Sequence, residues 1–127
     1  MDITDAILKD GKDKLRIIQE LVPGKQITLA HIIASPDDIL YQKLGLNPEI
    51  DYTRESIGII TMSPAETSVI AADIAMKSSN IDLGFVDRFS GTLIITGTVS
   101  NTETAVKAIC DYAKEKLGFA VCDITKT

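Results

Sequence analysis

The clearest prediction of the fold comes from residues 57–96, which read IGIITMSPAETSVIAADIAMKSSNIDLGFVDRFSGTLIIT. The apolar run at the start is typical of a buried strand. Ser63-Pro64-Ala65-Glu66 has the form of a capping box with proline at the first helical position, which predicts that a helix starts there. Residues 81–87 and 92–96 are predicted to be two further strands, joined by a turn at Phe89-Ser90-Gly91. This stretch therefore predicts the order strand, helix, strand, strand.

The residues that follow complete a known arrangement. Ser100-Asn101-Thr102-Glu103 is a second capping box, and apolar residues at helical spacing follow it until Gly118, which is predicted to end the helix. Residues 119–124 are predicted to be the last strand. Residues 57–125 thus follow the order β-α-β-β-α-β. This is the split βαβ, ferredoxin-like arrangement, an α+β fold predicted to have an antiparallel sheet with two helices on one face.

The residues before this unit add a strand, a short helix and one segment without visible partners. Residues 27–33, ITLAHII, are rich in β-branched side chains and are predicted to be a strand. Ser35-Pro36-Asp37-Asp38 predicts a short helix with Ser35 as its N-cap, ending at Gly45. Residues 16–22, RIIQELV, can extend as a strand, but neither of its faces is consistently apolar. That segment therefore needs strand partners from elsewhere.

Composition and charge exclude several classes of function. The chain has 127 residues, which favours one domain, and its 45% hydrophobic and 24% charged residues are typical of a folded globular protein. A net charge of −5 and a pI of about 4.7 disfavour binding to nucleic acid or to an anionic membrane. No apolar run approaches the roughly 20 residues of a membrane span, and the N-terminus lacks a signal-peptide pattern. We therefore expect a cytoplasmic protein.

Few residues are candidates for chemistry. His31 is the only histidine and lies in a predicted apolar strand, so a structural role is the first interpretation. A small acid–base enzyme using His31 with Asp73 or Asp87 is an alternative, although nothing in the spacing selects a pair. Cys110 and Cys122 form no CxxC motif, and in a reducing compartment we expect buried small hydrophobic side chains rather than a disulfide. We expect no catalytic residues, metal ion or cofactor.

The turn from Asp87 to Gly91 is unusual, because it has Phe89 at its tip beside Arg88. Exposing a phenylalanine is costly. Either Phe89 packs locally with Arg88 solvated, or the turn meets copies of itself around a symmetry axis. The residues alone leave both readings open. They also leave open a small-molecule regulatory domain, which would be a dimer or trimer with a ligand cleft between chains, because a ferredoxin-like sheet does not fix function.

Three runs of the sequence resemble a known family. They are residues 16–36, which contain VPGK and LAHIIA, residues 62–109, which contain DRFSG, and the ending VCDITKT. Together they resemble the circularly permuted hexameric shell proteins of bacterial microcompartments, of the EutS, PduU and CutR type. The likeness covers about residues 15–127. It implies three parts, namely an N-terminal tail (1–14), a barrel strand (15–24) and a permuted BMC shell domain (25–127).

The resemblance implies a structural role and assigns residues to it. Members form homohexamers that tile with other microcompartment shell proteins in the cytoplasm, around aldehyde-producing enzymes of the ethanolamine, choline or propanediol type. The axial pore loop would be Asp87, Arg88, Phe89, Ser90 and Gly91, and the hexamer edge would carry Lys77. The N-terminal strands of six chains would form a small β-barrel over the axis, filled by Ile17, Gln19 and Leu21 or by the alternate face of the strand.

Overall fold

The computed structural model describes residues 24–46 and 55–127. The expected tail at 1–14 lies outside the described residues. So does almost all of the expected barrel strand, including Ile17, Gln19 and Leu21.

Six strands and three helices form in the described part of the chain. In chain order they are β1 (Gln26–Ile33), α1 (Asp38–Lys43), β2 (Ser56–Ser63), α2 (Thr67–Ser78), β3 (Asp82–Asp87), β4 (Thr92–Gly97), α3 (Val99–Lys116), β5 (Ala120–Val121) and β6 (Thr125–Lys126). The predicted β-α-β-β-α-β order after residue 56 is confirmed. The last predicted strand is shorter than expected, because only two residues of β5 and two of β6 pair with a neighbour.

The strands form one mixed sheet in the order β3-β4-β2-β1-β5, with β6 also paired to β1. The pairs β1–β2, β2–β4 and β3–β4 are antiparallel, whereas β5 and β6 run parallel to β1. The prediction of an antiparallel sheet is therefore wrong at this edge. The reason is that β1 and β4 both run antiparallel to β2, and the α3 crossover returns β5 in the direction of β4.

The sheet is open, with β3 at one edge and β5 and β6 at the other. An open sheet gives no support to the expected β-barrel. The strand that was expected to build that barrel lies outside the described residues, except for its last position, Gly24, which is in a turn.

The core is divided between the two faces of the sheet. On one face, α2 and α3 pack small side chains, among them Ala75 and Ala105, against a layer of isoleucine and leucine that includes Ile60, Leu93 and Ile95. Alanines allow the helices to approach the sheet closely. The two long helices thus share one face, as predicted. The short helix α1 covers the opposite face with a smaller cluster whose buried members are Tyr41, Leu46, Ile57 and Ile94.

Both predictions that a capping box starts a long helix are wrong by two or three residues. Helix α2 starts at Thr67, because Ser63 still pairs as the last residue of β2. The main-chain oxygen of Pro64 accepts from the N–H of Thr67, which makes a tight 3₁₀-type turn ahead of the α-helix. Helix α3 is capped by Thr98, whose hydroxyl accepts from the N–H of Asn101 at 3.1 Å.

The cap of α1 is shifted in the same way. Its N-cap is Asp37 rather than Ser35, and the Asp37 carboxylate accepts from the N–H of Ile39 at 3.1 Å. Gly45 and Gly118 follow the ends of α1 and α3 with φ of 69° and 72°, so both predicted helix ends are confirmed.

Candidate functional site

The turn between β3 and β4 is built on the side chain of Asp87. One carboxylate oxygen accepts from the N–H of Phe89 at 2.8 Å, and the other accepts from the hydroxyl of Ser90 at 2.7 Å. The N–H of Gly91 donates to the main-chain oxygen of Asp87 at 2.9 Å. The hydrogen bond from Ser90, followed by that from Phe89, lowers the pKa of the Asp87 carboxyl. Both oxygens of the Asp87 carboxylate are therefore used in hydrogen bonds that hold the turn.

Gly91 fixes the turn to the end of β2. Its φ of 78° favours glycine, and its main-chain oxygen accepts from the N–H of Met62 at 2.9 Å. A Cβ at this position would lie well inside 3.0 Å of the Met62 carbonyl oxygen, which is closer than real Cβ atoms approach. The turn is therefore held in one place against the sheet.

The tip of this turn presents an aromatic ring and a cation to the outside. Phe89 is 82% exposed, and the Arg88 guanidinium lies 5.1 Å from the centroid of its ring. A cation over a ring at an exposed site contributes about 0.5–1 kcal/mol. Phe89 is not packed into the chain, so the first of the two interpretations of this tip, local packing, does not describe the single chain.

Lys77 lies in the last turn of α2 and is exposed. Its ammonium forms an ion pair with Asp73 one helical turn earlier, at 2.8 Å. The hydrogen bond that Lys77 donates to Asp73, followed by the negative charge of Asp73, raises the pKa of Lys77. Tyr112 on α3 is close enough to add to that effect. The Asp73 carboxylate is therefore part of an exposed helical pair.

His31 contacts the end of the chain rather than a carboxylate. Its Nδ1 lies 2.6 Å from the hydroxyl of Thr125, and its Nε2 lies 2.9 Å from that of Thr127. Both ring nitrogens thus have hydroxyl partners, while Asp73 and Asp87 have the partners given above. The structure does not bring the proposed acid–base pair together. The two threonines are more than 90 residues from His31 in sequence, so only the β1–β6 pairing reveals them.

The two cysteines are free. Cys110 is buried on α3, and burial raises the pKa of its thiol to about 11. Cys122 is partly buried, and burial also raises the pKa of its thiol. The expectation of unpaired thiols is confirmed, and these pKa directions describe packing groups rather than nucleophiles.

Residues 24–46 and 55–127 contain neither a clustered metal site nor a membrane-spanning helix. This part of the chain holds no group of three or more histidine, cysteine, aspartate or glutamate side chains that could bind a metal ion. Within the same residues, no helix has both the length and the apolar character that crossing a bilayer requires.

Several large apolar side chains are exposed on β3 and on α2, two elements that contact each other, and the sequence patterns did not predict this exposure. On β3 they are Leu83, Phe85 and Val86, and on α2 they are Val69, Ile70 and Met76. Because β3 is an edge strand, its backbone is unpaired on one side within the described sheet. Apolar groups gathered in this way mark a surface for another protein chain. The hydrophobic periodicity of the sequence does not show that side chains on both faces of β3 are exposed.

The chain matches the BMC domain family over residues 56–125. It is 48% identical over 112 residues to bacterial microcompartment shell protein CutR of Streptococcus intermedius, covering 88% of this chain and 92% of that protein. It is 48% identical over 112 residues to shell protein PduU of Salmonella typhimurium, covering 88% and 93%. Shell protein EutS of Escherichia coli is 45% identical over 115 residues, covering 91% and 99%.

Solved structures give the same result. A flat hexamer of CutR superposes with a TM-score of 0.76 at 47% identity, covering 88% of this chain and 99% of that one. A screw form of CutR, with a pitch of 41.9 Å, superposes with a TM-score of 0.73 at 45% identity, covering 83% and 100%. A fused permuted hexameric shell protein shares the fold at 20% identity, with a TM-score of 0.62, covering 69% and 46%.

Proposed function

This chain belongs to the BMC-domain family, and on that premise we propose how its parts are placed in a hexameric tile. It is a structural subunit of a bacterial microcompartment shell and resides in that shell. Its copies form a homohexamer, and the homohexamer assembles with other shell proteins. The function is structural, because identical wedge-shaped subunits repeated around a closed rotation axis form one tile.

The first part of the proposal places residues 87–91 at the six-fold axis. The observation that carries it is the 82% exposure of Phe89 on a turn that is held rigidly by Asp87 and Gly91. A monomer gains nothing from holding an aromatic ring in water, whereas six rings that meet at an axis bury one another. The turn is thus the axial loop of the tile.

The second part places Lys77 at the edge between neighbouring hexamers. Its ammonium is exposed in the last turn of α2, and it is joined to Asp73 by a surface ion pair. Such a pair contributes little in water, so exchanging Asp73 for a carbonyl of a neighbouring tile has a small cost. The long stem of Lys77 can then lie along that neighbour.

The third part concerns the front of the chain and the contents of the shell. We infer that residues 15–24 of six chains form a small β-barrel over the axis, filled by Ile17, Gln19 and Leu21. The support is the sequence of residues 16–22, which can extend as a strand but has no consistently apolar face, so that it needs strand partners from other chains. We also infer a non-enzymatic subunit around aldehyde-producing enzymes of the ethanolamine, choline or propanediol type. The support for that is the likeness to EutS, CutR and PduU.

The test is the mass and image of the purified protein. Light scattering should give about six times the 13.7 kDa chain, and cryo-electron microscopy should place Phe89 next to the axis. Phe89→Ala should lower the thermal stability of the hexamer, whereas Ile39→Ala, which shortens an exposed apolar side chain of α1 outside the turn, should leave it nearly unchanged. Deleting residues 1–22 should open the axis. A ring with Phe89 at its rim would overturn the axial placement, and an unchanged axis after the deletion would overturn the barrel.

A further inference from the structure

The two free thiols are brought to one side of α3 by the way the chain leaves that helix. Gly118 turns the chain back with a φ of 72°, and the N–H of Phe119 donates to the main-chain oxygen of Ala113 at 2.9 Å. Cys110 lies three residues before Ala113, on the same buried face of α3. Cys122 lies three residues after Phe119. The two cysteines are therefore on the two arms that leave this turn.

Both side chains pack in the apolar layer between α3 and the sheet. Cys110 belongs to the large core cluster, as do Ile27 and Ala113, and Cys122 packs against that cluster. The N–H of Cys122 donates to the main-chain oxygen of Ile27 at 3.1 Å, which fixes its backbone beside β1. Burial, followed by the negative charge of Cys122, raises the pKa of the Cys110 thiol. Because an electrostatic interaction weakens with distance, this effect places the two sulfur atoms near each other.

We propose that Cys110 and Cys122 form a reversible disulfide when the subunit meets an oxidising small-molecule disulfide such as glutathione disulfide. Both thiols are free in the structure, which therefore describes the reduced state of this pair. The bond joins α3 to the stretch of chain between β5 and β6. The inference is independent of the placement of residues 87–91 at an axis.

The bond forms by two successive thiol–disulfide exchanges. Cys122 reacts first, because it is partly exposed whereas Cys110 is buried. The Cys122 thiolate attacks one sulfur of glutathione disulfide, forms a mixed disulfide and releases one glutathione. The Cys110 thiolate then attacks the Cys122 sulfur, forms the internal bond and releases the second glutathione. The two thiol protons end on the two released glutathiones, so the protein loses two electrons and glutathione disulfide gains them.

The position of Cys110 compensates for its low reactivity. Burial keeps almost all of this thiol protonated near neutral pH, so it is a weak nucleophile towards a reagent in solution. Once Cys122 carries the leaving group, the attack takes place within one chain, where the two groups are held at a high effective concentration. We therefore expect slow formation of the mixed disulfide, followed by its conversion to the internal bond.

The disulfide stabilises a weakly paired edge of the described sheet. Strands β5 and β6 each pair with β1 through only two residues. A bond from Cys122 to α3 holds the chain between these two strands in place. It also closes a loop of about 13 residues, which removes conformational freedom from the unfolded chain. Oxidation thus raises the stability of the subunit without changing its fold.

The test treats the purified hexamer with glutathione disulfide and measures the mass of the denatured, unreduced chain. We expect each chain to lose two hydrogen atoms, and peptide mapping should find Cys110 joined to Cys122. The thermal midpoint should rise by about 5–12 °C, because the closed loop constrains the unfolded chain. Dithiothreitol should reverse both changes.

Hydrogen exchange locates the effect in the structure. The amides of Ala120 and Cys122 donate to main-chain oxygens of β1 or of the residue before it, and after oxidation their exchange should slow by at least about tenfold. The amide of Met62, which donates to Gly91 at the other end of β2, is the internal control and should keep its rate relative to the other amides of the sheet.

Cys110→Ala and Cys122→Ala are the matched variants, and each is first checked by light scattering to be a hexamer. Cys110→Ala should stop at the mixed disulfide, with one glutathione added to Cys122. Cys122→Ala should stay unmodified, because only the buried thiol is left. Neither variant should show the rise in thermal midpoint that the unaltered chain shows.

Four results would overturn parts or all of this inference. An unmodified chain after treatment, or a glutathione that persists on Cys122 of the unaltered chain, would show that the two sulfur atoms do not meet. A cross-link between two chains, seen as a doubled mass before reduction, would replace the internal bond with an intermolecular one. An internal bond without a rise in thermal midpoint would refute its stabilising effect on the sheet edge.

Discussion

Replacing Gly91 with alanine should destabilise the protein far more than the same change at Gly118. Both glycines have a positive φ, 78° and 72°, so both substitutions place an L-residue in the left-handed region. The difference lies in what surrounds them. Nothing lies within 4 Å of a Cβ built at Gly118, whereas a Cβ at Gly91 would overlap the carbonyl oxygen of Met62 and press on the main chain at Ala65.

The expected loss follows from these contacts. The left-handed conformation costs an L-residue about 1–2 kcal/mol at either site. At Gly91 the loop must also move away from β2, which loses the 2.9 Å hydrogen bond between Met62 and Gly91, worth about 1 kcal/mol. Overpacking against a backbone adds about 1–3 kcal/mol. The total is about 3–6 kcal/mol for Gly91→Ala against about 1–2 kcal/mol for Gly118→Ala.

Thermal unfolding followed by circular dichroism measures this difference. All variants are compared at one chain concentration, because assembly adds to apparent stability by mass action. For a domain of this size 1 kcal/mol corresponds to about 4 °C, so Gly91→Ala should lower the midpoint by about 12 °C or more and Gly118→Ala by about 4–8 °C. Equal losses in the two variants would show that the contact between Gly91 and β2 is not the cause.

Three further outcomes are expected. Thr98→Ala should cost about 1 kcal/mol, or about 4 °C, because it removes the cap of α3, whereas Ser100→Ala should change the midpoint little; a larger effect of Ser100→Ala would restore the capping box as the start of the helix. At pH 8 a thiol reagent should label Cys122 before Cys110, because burial raises the pKa of Cys110 to about 11 and leaves about one Cys110 thiol in a thousand ionised. Cys110 should become reactive only as the pH approaches 11. Prompt labelling of Cys110 at pH 8 would contradict this expectation. His31→Ala should speed hydrogen exchange of the Thr127 amide about tenfold, since two side-chain hydrogen bonds to this segment are lost, while Thr28→Ala on the same strand should leave that amide unchanged.

The sequence predicted elements whose signal is local. The strands at 57–62 and 92–96, the helix of 18 residues that ends before Gly118, and the turn on Asp87 all follow from periodicity or from turn residues. The starts of helices were predicted less well. Thr98 and Ser100 are both good caps, and only the end of β4 at Gly97 decides which hydroxyl meets the first helical turn.

The sequence could not predict which strands pair when they lie far apart in the chain. The parallel contact of β1 with β5 and β6 joins residues more than 90 positions apart, and it depends on the direction in which α3 returns the chain. The threonine partners of His31 follow from that pairing. The exposed tip at Phe89, by contrast, was recognised from the sequence as unusual, because an aromatic residue between Arg88 and Ser90 in a turn lacks a local reason.

The position of β1 between β2 and β5 has a consequence for how the protein is made. The ribosome makes β1 more than 90 residues before its outer neighbours β5 and β6. Until they emerge, one side of β1 has no strand beside it, and a nascent chain at high local concentration can pair through that side with another copy. Closing the sheet over so long a separation is also slow. We therefore expect folding of the complete subunit, rather than collision between finished subunits, to set the pace at which shell tiles appear.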